Sequence, residues 1–223
     1  MIQLFKITKT YNQGRPNEFT ALKGIDLNVD GDRITVFKGP SGSGKTTLLS
    51  IVGCMARPTS GRIKLAGQEI TSLPERFLAE NRRKTFGFVF QNHNLIKGLT
   101  VLENTMIPAY PTGEKHRLIK ERAKDILRKF QLDAKALQRV ELLSGGEQQR
   151  AAIVRALIND PPILIADEPT AHLDTELARE FMEIISELKK EGKTVLIASH
   201  DPLVHESPFV DRVVALRDGL IVD

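Results

Sequence analysis

A glycine-rich loop between a strand-like and a helix-like segment is the feature that most constrains the fold. Residues 39–46 read GPSGSGKT and fit the pattern G-x-x-x-x-G-K-[ST]. The β-rich run ITVF precedes this loop, and Leu48, Leu49, Ile51 and Val52 give the following segment the apolar face of a helix. A strand, a tight loop and a helix in this order are typical of α/β proteins that bind phosphate. A glycine-rich turn without a ligand is the alternative.

The chemistry of this loop indicates a nucleotide with a metal ion. Glycines let main-chain N–H groups close around a β-phosphate, and the ammonium of Lys45 reaches the β- and γ-phosphates. The hydroxyl of Thr46 is a suitable ligand for Mg²⁺. We therefore expect the following residues to bind the nucleotide: Gly39, Pro40, Ser41, Gly42, Ser43, Gly44, Lys45, Thr46 and Thr47.

A second glycine-rich run, LSGGEQQR at residues 143–150, reads as the beginning of a helix. Ser144 suits the N-cap position, and Glu147 stands three residues later, where a capping box places an acid. The free N–H groups and the positive end of the helix dipole suit an anion such as phosphate. For this run alone, an ordinary capped helix without a ligand is the alternative.

Two acids follow the apolar run ILIA at residues 163–166. Such runs are typical of buried parallel strands, and functional groups of open α/β sheets collect at the carboxyl ends of strands. Asp167 suits an outer-sphere position on Mg²⁺, and Glu168, which points the other way, can polarise an attacking water. A solvated turn is the alternative, which the upstream Lys45 loop disfavours.

In their order along the chain, these motifs resemble those of the nucleotide-binding domain of ABC ATPases, and the likeness covers nearly all of the sequence. Residues 39–46 resemble the Walker A loop, residues 143–150 the family signature, and Asp167 with Glu168 the Walker B acid and the catalytic glutamate. The adenine-stacking aromatic, the Q-loop glutamine, the D-loop and the switch histidine are matched by Tyr11, Gln91, residues 171–174 and His200.

Within that family, the chain is most similar to the stand-alone subunits of the lipoprotein-release, macrolide-export and cell-division group (LolD/MacB/FtsE-like). The lengthened segment 11–19, the stretches FVFQN and LTVLEN, and DEPT at residues 167–170 carry this likeness. The D-loop differs from the Gly-Asn-Leu-Asp expected of the group, because Ala171 and His172 replace its first two residues. Asp174 is still available to act across an interface.

The resemblance implies a site that two copies of the chain share. In the family, the signature loop of one copy closes over ATP held by the Walker A loop of another, so we expect a homodimer that forms on ATP binding. The implied catalytic residues are Lys45, Gln91, Glu168 and His200. The implied Mg²⁺ site comprises Thr46, Gln91 and Asp167. Tyr11 and a second set complete the nucleotide contacts: Ser144, Gly145, Gly146, Glu147 and Asp174.

The segment pattern predicts an α/β fold with a mainly parallel core sheet. The resemblance to the family implies the rest of the architecture, which is a P-loop NTPase fold with a small antiparallel β layer and an inserted helical subdomain. Residues 25–29 and 62–65 alternate like half-exposed strands of the small layer. Compact apolar runs predict core strands at residues 163–167, 194–198 and 213–216.

Helical spacing of apolar residues predicts one helix with Leu177, Phe181, Ile184, Ile185 and Leu188, and another with Leu118, Ile119, Ala123, Ile126, Leu127 and Phe130, after a turn cluster at residues 108–113. We expect one domain over residues 1–223. Within it, residues 1–91 and 160–223 form the ATP-binding core, and residues 92–159 form the helical subdomain that carries the signature loop.

Composition limits where the protein works. The single cysteine, Cys54, fits a reducing compartment and, among apolar neighbours, a buried structural thiol. No apolar stretch approaches the roughly 18 residues that span a bilayer, and the N-terminus begins no signal peptide. The net charge is +4, but most basic residues are interleaved with acids, which is typical of a solvated surface. We therefore expect no nucleic acid partner. The compact run of residues 82–84 faces either a membrane surface or the protein itself.

We therefore expect a Mg²⁺-dependent ATPase subunit, cytoplasmic and held at the inner face of the cell membrane by a separate integral membrane permease. In family members the segment after the Q-loop touches that partner, so the expected contact is residues 91–108. Export or lipoprotein release is the favoured output. A mechanical or regulatory ATPase of the cell-division type is the alternative, and a P-loop kinase for a small metabolite is a third reading that leaves residues 143–150 without a role.

Overall fold

The computed structural model describes residues 1–171 and 173–222, and it confirms the predicted α/β fold. The strands are β1 (Ile2–Tyr11), β2 (Phe19–Val29), β3 (Ile34–Lys38), β4 (Ser60–Leu65), β5 (Gln68–Glu69), β6 (Phe86–Val89), β7 (Ile163–Asp167), β8 (Thr194–Ala198), β9 (Arg212–Arg217) and β10 (Leu220–Val222). The helices are α1 (Lys45–Val52), α2 (Glu75–Thr85), α3 (Val101–Met106), α4 (His116–Lys129), α5 (Gly145–Leu157), α6 (Thr175–Lys190) and α7 (Pro202–His205).

The larger sheet brings the loops after three neighbouring strands side by side. Its strand order is β10-β9-β3-β8-β7-β6. Strands β9, β3, β8, β7 and β6 run parallel, and β10 is antiparallel to β9. Because the carboxyl ends of parallel strands meet at one edge, the loops after β3, β8 and β7 lie together. Glu168 and His200 lie in the loops after β7 and β8, Asp167 is the last residue of β7, and Lys45 begins the helix after the loop that follows β3.

The core strands are buried on both faces, which explains why the sequence reads as continuous apolar runs. Along β7, Leu164 and Ala166 pack in one hydrophobic cluster, whereas Ile163 and Ile165 pack in a second cluster on the other face. The first cluster also contains residues of α3, α4, α5 and α6, and the second contains residues of α1 and the smaller sheet. The loops at this edge of the sheet therefore follow strands whose side chains are largely buried.

The smaller sheet is antiparallel, with the order β2-β1-β4-β5, and includes both segments predicted for it. Its first two strands form a long hairpin. At the end of the hairpin, Tyr11 pairs with Phe19. Because residues directly opposite on antiparallel strands point to the same face, these two aromatic side chains stand side by side.

Two details of the predicted helices are wrong. Leu118 does not belong to the buried stripe of α4 but is 46% exposed. The buried stripe is Ile119, Ala123 and Leu127, spaced by four residues, and Leu118 lies about 100° away from Ile119 around the helix. The predicted turn cluster at residues 108–113 is instead a 3-10 helix, Ile107–Thr112, that ends at Gly113 with φ of +78°. The fixed φ of proline suits such a helix as well as a turn.

The basic run at residues 82–84 serves the protein itself. The Arg82 guanidinium donates to the Cys54 carbonyl and to the Glu75 carboxylate, and that of Arg83 donates to the Pro111 carbonyl. Lys84 pairs with the acid one turn earlier on α2. The structural interpretation of this run is thereby favoured over a membrane contact. Among the described residues, none of the helices is both long and apolar enough to cross a bilayer.

Cys54 is buried, as predicted. Burial raises the pKa of its thiol to about 11. At neutral pH the side chain is therefore protonated and unreactive.

Candidate nucleotide-binding site

The glycines of the loop at residues 39–46 are required by its backbone and by its close packing. Gly44 has φ of +105°, and a Cβ atom there would lie 2.7 Å from the Ala21 carbonyl oxygen of β2. At Gly39, with φ of +155°, a Cβ atom would lie 2.1 Å from the Leu216 carbonyl oxygen of β9. The loop is therefore clamped between two strands, which holds its main-chain N–H groups in place.

Lys45 lies at the first position of α1 and is 5% exposed. Its ammonium donates to the Gly39 carbonyl at 2.8 Å and to the Pro40 carbonyl at 3.1 Å, and lies 3.4 Å from Oε1 of Glu168. A buried cation needs anionic or carbonyl partners. Of these partners, Glu168 lines the cleft together with Lys45, so the ammonium borders the space where a phosphate would lie.

Glu168 stands between Lys45 and His200. Its Oε2 atom lies 2.9 Å from Nδ1 of His200, and the His200 backbone N–H donates to the same oxygen at 3.4 Å. The Glu168 backbone has φ of +45° and is tied by its N–H to the Ala198 carbonyl of β8. The left-handed backbone turns the carboxylate out of the strand direction and into the cleft, where it is 12% exposed.

Thr46 and Asp167 form the second polar contact of the site. The Thr46 hydroxyl donates to Oδ1 of Asp167 at 2.9 Å. Burial raises the pKa of the Asp167 carboxyl, an effect that the Thr46 hydrogen bond and the Lys45 charge oppose. A divalent cation near this pair would relieve that burial cost, and hydroxyl and carboxylate oxygens are the ligands that Mg²⁺ takes in nucleotide sites.

These two residues fit a metal ion that also binds phosphate and water, because Mg²⁺ in such sites keeps several waters. Within residues 1–171 and 173–222, no group of three His, Cys, Asp or Glu side chains is arranged to hold a metal by itself.

An open cleft of about 270 Å³ brings most of the predicted phosphate contacts together with Gln91, Glu168 and His200. Its lining residues are Phe19, Ala21, Ser41, Gly42, Ser43, Gly44, Lys45, Thr46, Thr47, Gln91, Glu168 and His200. The hydroxyl of Ser43 is buried in the loop and makes no hydrogen bond with the described residues. An unpaired buried hydroxyl at this position fits a ligand oxygen as its partner.

Phe19 is a lining residue that sequence reasoning missed, whereas Tyr11 is not among the lining residues. Tyr11 is 41% exposed, and the Lys9 ammonium lies 5.0 Å from the centre of its ring. Phe19 is 57% exposed. The sequence offered one signal for Phe19, which is an aromatic residue at the start of a strand. Its position opposite Tyr11 depends on the hairpin register, which cannot be read from either segment alone.

The run at residues 143–150 begins α5, as predicted, with a complete capping box. The Ser144 hydroxyl accepts from the Glu147 N–H, and the Glu147 carboxylate accepts from the Ser144 N–H at 2.8 Å. The latter bond lowers the pKa of Glu147. Ser144 and Gly145 are exposed, but neither lines the cleft of the same chain.

Asp174 also lies outside the lining of this cleft. It caps α6 by accepting the Leu177 N–H at 2.9 Å. His172, which departs from the expected D-loop, lies outside the described residues. Within the described residues, the cleft therefore contains about half of the predicted site residues, whereas Ser144, Gly145 and Asp174 are exposed outside it.

Comparison with known proteins identifies the class. The family model for the ABC transporter domain matches residues 22–171. An ABC transporter ATP-binding protein of Thermotoga maritima is 40% identical over 99% of this chain and 93% of its own length. The macrolide export ATP-binding/permease protein MacB of Pectobacterium atrosepticum is 39% identical over the whole chain, which spans 34% of that protein.

Solved structures agree with these relatives. The dimeric structure of a bacterial ABC transporter cassette superposes with a TM-score of 0.89 at 38% identity, covering 100% of this chain and 97% of that one. The same cassette is also known in a post-hydrolysis state bound to ADP and Pi. The present chain belongs to the ABC transporter family, as one of its ATP-binding proteins of the MacB-like type. The resemblance predicted from the motifs is thereby confirmed.

Proposed function

We propose that the chain is the Mg²⁺-dependent ATPase subunit of an export or lipoprotein-release transporter, and that two copies close head to tail over two ATP molecules. The observation that carries this proposal is the division of the site. Lys45, Glu168 and His200 converge on one cleft, whereas Ser144 and Gly145 stand exposed at a helix N-terminus outside it. In the proposed dimer, a second copy supplies its Ser144 and Gly145 to the cleft of the first copy.

The cleft residues support hydrolysis of the terminal phosphate by water. Glu168 orients the attacking water and accepts its proton, while the bond between the γ-phosphorus and the ADP oxygen breaks. Lys45 and His200 donate hydrogen bonds to phosphate oxygens, where negative charge must be neutralised. Thr46, Asp167 and Gln91 would hold Mg²⁺, which supplies further positive charge when bound. Tyr11 and Phe19, side by side at the hairpin end, offer apolar surface to the adenine.

Dimer closure is the first testable part of the proposal. Replacing Ser144 by arginine places a bulky cation at the exposed N-terminus of α5, where we infer that the partner's γ-phosphate region must approach. ATP binding to the isolated chain should change less than about threefold, because Ser144 does not line that chain's own cleft. ATP-dependent association, measured by light scattering after size-exclusion chromatography, should be lost.

Thr100→Arg is the matched control for Ser144→Arg. Thr100 caps α3 with the same reciprocal pattern, in which Glu103 takes the role of Glu147. Each substitution removes a cap that contributes about 1 kcal/mol to stability. In the absence of a membrane partner, only the variant at Ser144 should abolish association. Loss of nucleotide binding by the isolated Ser144→Arg chain would contradict the proposed geometry.

Two observations, one on the relatives and one on a groove of this chain, support a separate permease as the partner. MacB is named as an ATP-binding/permease protein, and this chain spans about a third of it. Next to the segment that begins at Gln91, a groove of about 380 Å³ is lined by Met55, Phe88 and Phe90, with Arg82, Arg83 and Arg155 around them. Phe88 and Phe90 stack with ring centroids 6.0 Å apart. We propose that a cytoplasmic segment of the permease docks here and along residues 91–108, which would hold the chain at the inner face of the membrane.

Met55→Asp tests this docking site. Met55 is 47% exposed in the groove, and a carboxylate there would have to be desolvated when an apolar segment docks. The variant should keep its basal ATPase activity within about twofold but lose the integral membrane protein that co-purifies with the parent chain. Leu118→Asp, at a side chain with 46% exposure on α4, should keep that partner. Equal retention by both variants would exclude the groove.

The output after hydrolysis distinguishes the favoured proposal from its alternative. We propose that residues 92–159 move as the subdomain carrying the signature loop and transmit closure to the permease. A partner with a few spans and a large extracytoplasmic domain that moves cargo in vesicles would support export. A partner that moves no cargo, yet changes shape with ATP, would support the mechanical alternative.

A further inference from the structure

The two adjacent glycines of the run at residues 143–150 have opposite surroundings. A Cβ atom built on Gly145 would meet no other atom within 4 Å, and Gly145 is exposed. A Cβ atom on Gly146 would lie 2.6 Å from Cδ2 of Leu177, and Gly146 is buried. The space next to Gly146 is therefore occupied by a side chain of the same subunit and is not open to a partner.

Leu177 joins two elements that do not line the cleft of their own chain. Its side chain fills the space above Gly146 in the first turn of α5, whereas its backbone N–H donates to Oδ1 of Asp174 at 2.9 Å. One turn further along each helix, the Arg150 guanidinium donates to Glu180 at 2.6 Å. The first two turns of α5 and α6 are thus held together by one apolar contact and one ion pair.

We infer that Leu177 is a positioning residue that fixes the N-terminus of α5 relative to Asp174, so that Ser144 and Asp174 approach the partner's nucleotide as one rigid unit. Gly146 is then required because it leaves room for Leu177. This inference rests on the proposed head-to-tail dimer and deepens it, because it names the contact within each subunit that keeps both donated elements in register.

Reciprocal substitution tests the contact. In Gly146→Ala the new methyl group overlaps Cδ2 of Leu177, so the Leu177 side chain must move from its place against the first turn of α5. In Gly146→Ala with Leu177→Ala, the branch atoms of Leu177 are gone and the methyl group has room. In the Glu168→Gln background, ATP-dependent association should weaken about tenfold in Gly146→Ala and return to within about threefold of the Leu177→Ala value in the double variant.

Gly145→Ala provides the matched control, because the methyl group there meets open space. Any effect of Gly145→Ala on association should be unchanged when Leu177→Ala is added. If Leu177→Ala strongly lowers the midpoint temperature of thermal unfolding, Leu177→Val serves as a milder truncation of the same side chain. In every variant, affinity of the isolated chain for a fluorescent ATP analogue should stay within about threefold of the parent, which separates positioning from general destabilisation.

The outcomes distinguish this inference from the proposed function. If the Glu168→Gln parent forms ATP-dependent dimers and the defects of Gly146→Ala and Leu177→Ala simply add, the role of Leu177 is overturned and the dimer stands. If Leu177→Ala rescues Gly145→Ala as well, the contact is not specific and the inference falls. If the parent fails to dimerise with ATP, the proposed function and this inference are both overturned.

Discussion

Replacement of Glu168 by glutamine is expected to lower ATP turnover by about 10²- to 10⁴-fold, the usual contribution of a positioned general base. The amide keeps the size of the side chain and can still contact His200, but it cannot accept a proton from water. Nucleotide affinity should stay close to that of the parent, because the loop at residues 39–46 is unaltered. Phosphate release at saturating ATP measures the loss, and equilibrium binding of a fluorescent nucleotide measures the affinity.

Glu187→Gln is the control for this prediction, since Glu187 is an exposed acid on α6 that pairs only with Lys190 among the described residues. It should leave turnover within about twofold of the parent. The Glu168→Gln chain should also persist longer as an ATP-bound dimer, because the step that removes the bridging phosphate is slow. Unchanged turnover in Glu168→Gln would remove this residue from the catalytic role.

Replacement of Lys45 by alanine is expected to weaken both nucleotide binding and turnover. The Lys45 ammonium is the buried cation that lines the cleft. Its loss removes a charged donor to phosphate, which costs about 10²- to 10³-fold in turnover when the donor also stabilises transition-state charge. It also leaves Glu168 without its 3.4 Å ammonium neighbour. Titration with a fluorescent ATP analogue and phosphate release at several ATP concentrations separate the two effects.

Lys38→Ala is the control for Lys45→Ala. Lys38 ends β3 just before the loop, is exposed and does not line the cleft. Its removal should change affinity by less than about threefold, as expected for an exposed charge. Wild-type affinity in Lys45→Ala would mean that the loop does not bind the terminal phosphates.

The fold was predictable where burial or ligand chemistry leaves few choices. The runs at residues 163–167 and 194–198 must be strands buried on both faces, and they are β7 and β8. The loop at residues 39–46 requires a strand before it and a helix after it, and it has both. The burial of Leu118 was predicted wrongly because apolar residues on two sides of a helix can both fit a loose helical period.

The pairing of distant segments could not be predicted in the same way. The insertion of β3 between β8 and β9 joins residues more than 150 positions apart in the chain. The placement of Phe19 beside the cleft depends on the hairpin register, which shifts at several points along β1. The contact between Gly146 and Leu177 depends on how α5 and α6 lie against each other, which no local pattern of either helix encodes.

The central claim, that two copies jointly enclose each ATP, is tested most directly by the specific ATPase activity per chain as a function of chain concentration. With ATP and Mg²⁺ saturating, a shared pocket predicts that the activity per chain falls towards zero on dilution and reaches a plateau at high concentration. An activity per chain that stays constant down to concentrations at which the 24.9 kDa chain is entirely monomeric would contradict the account.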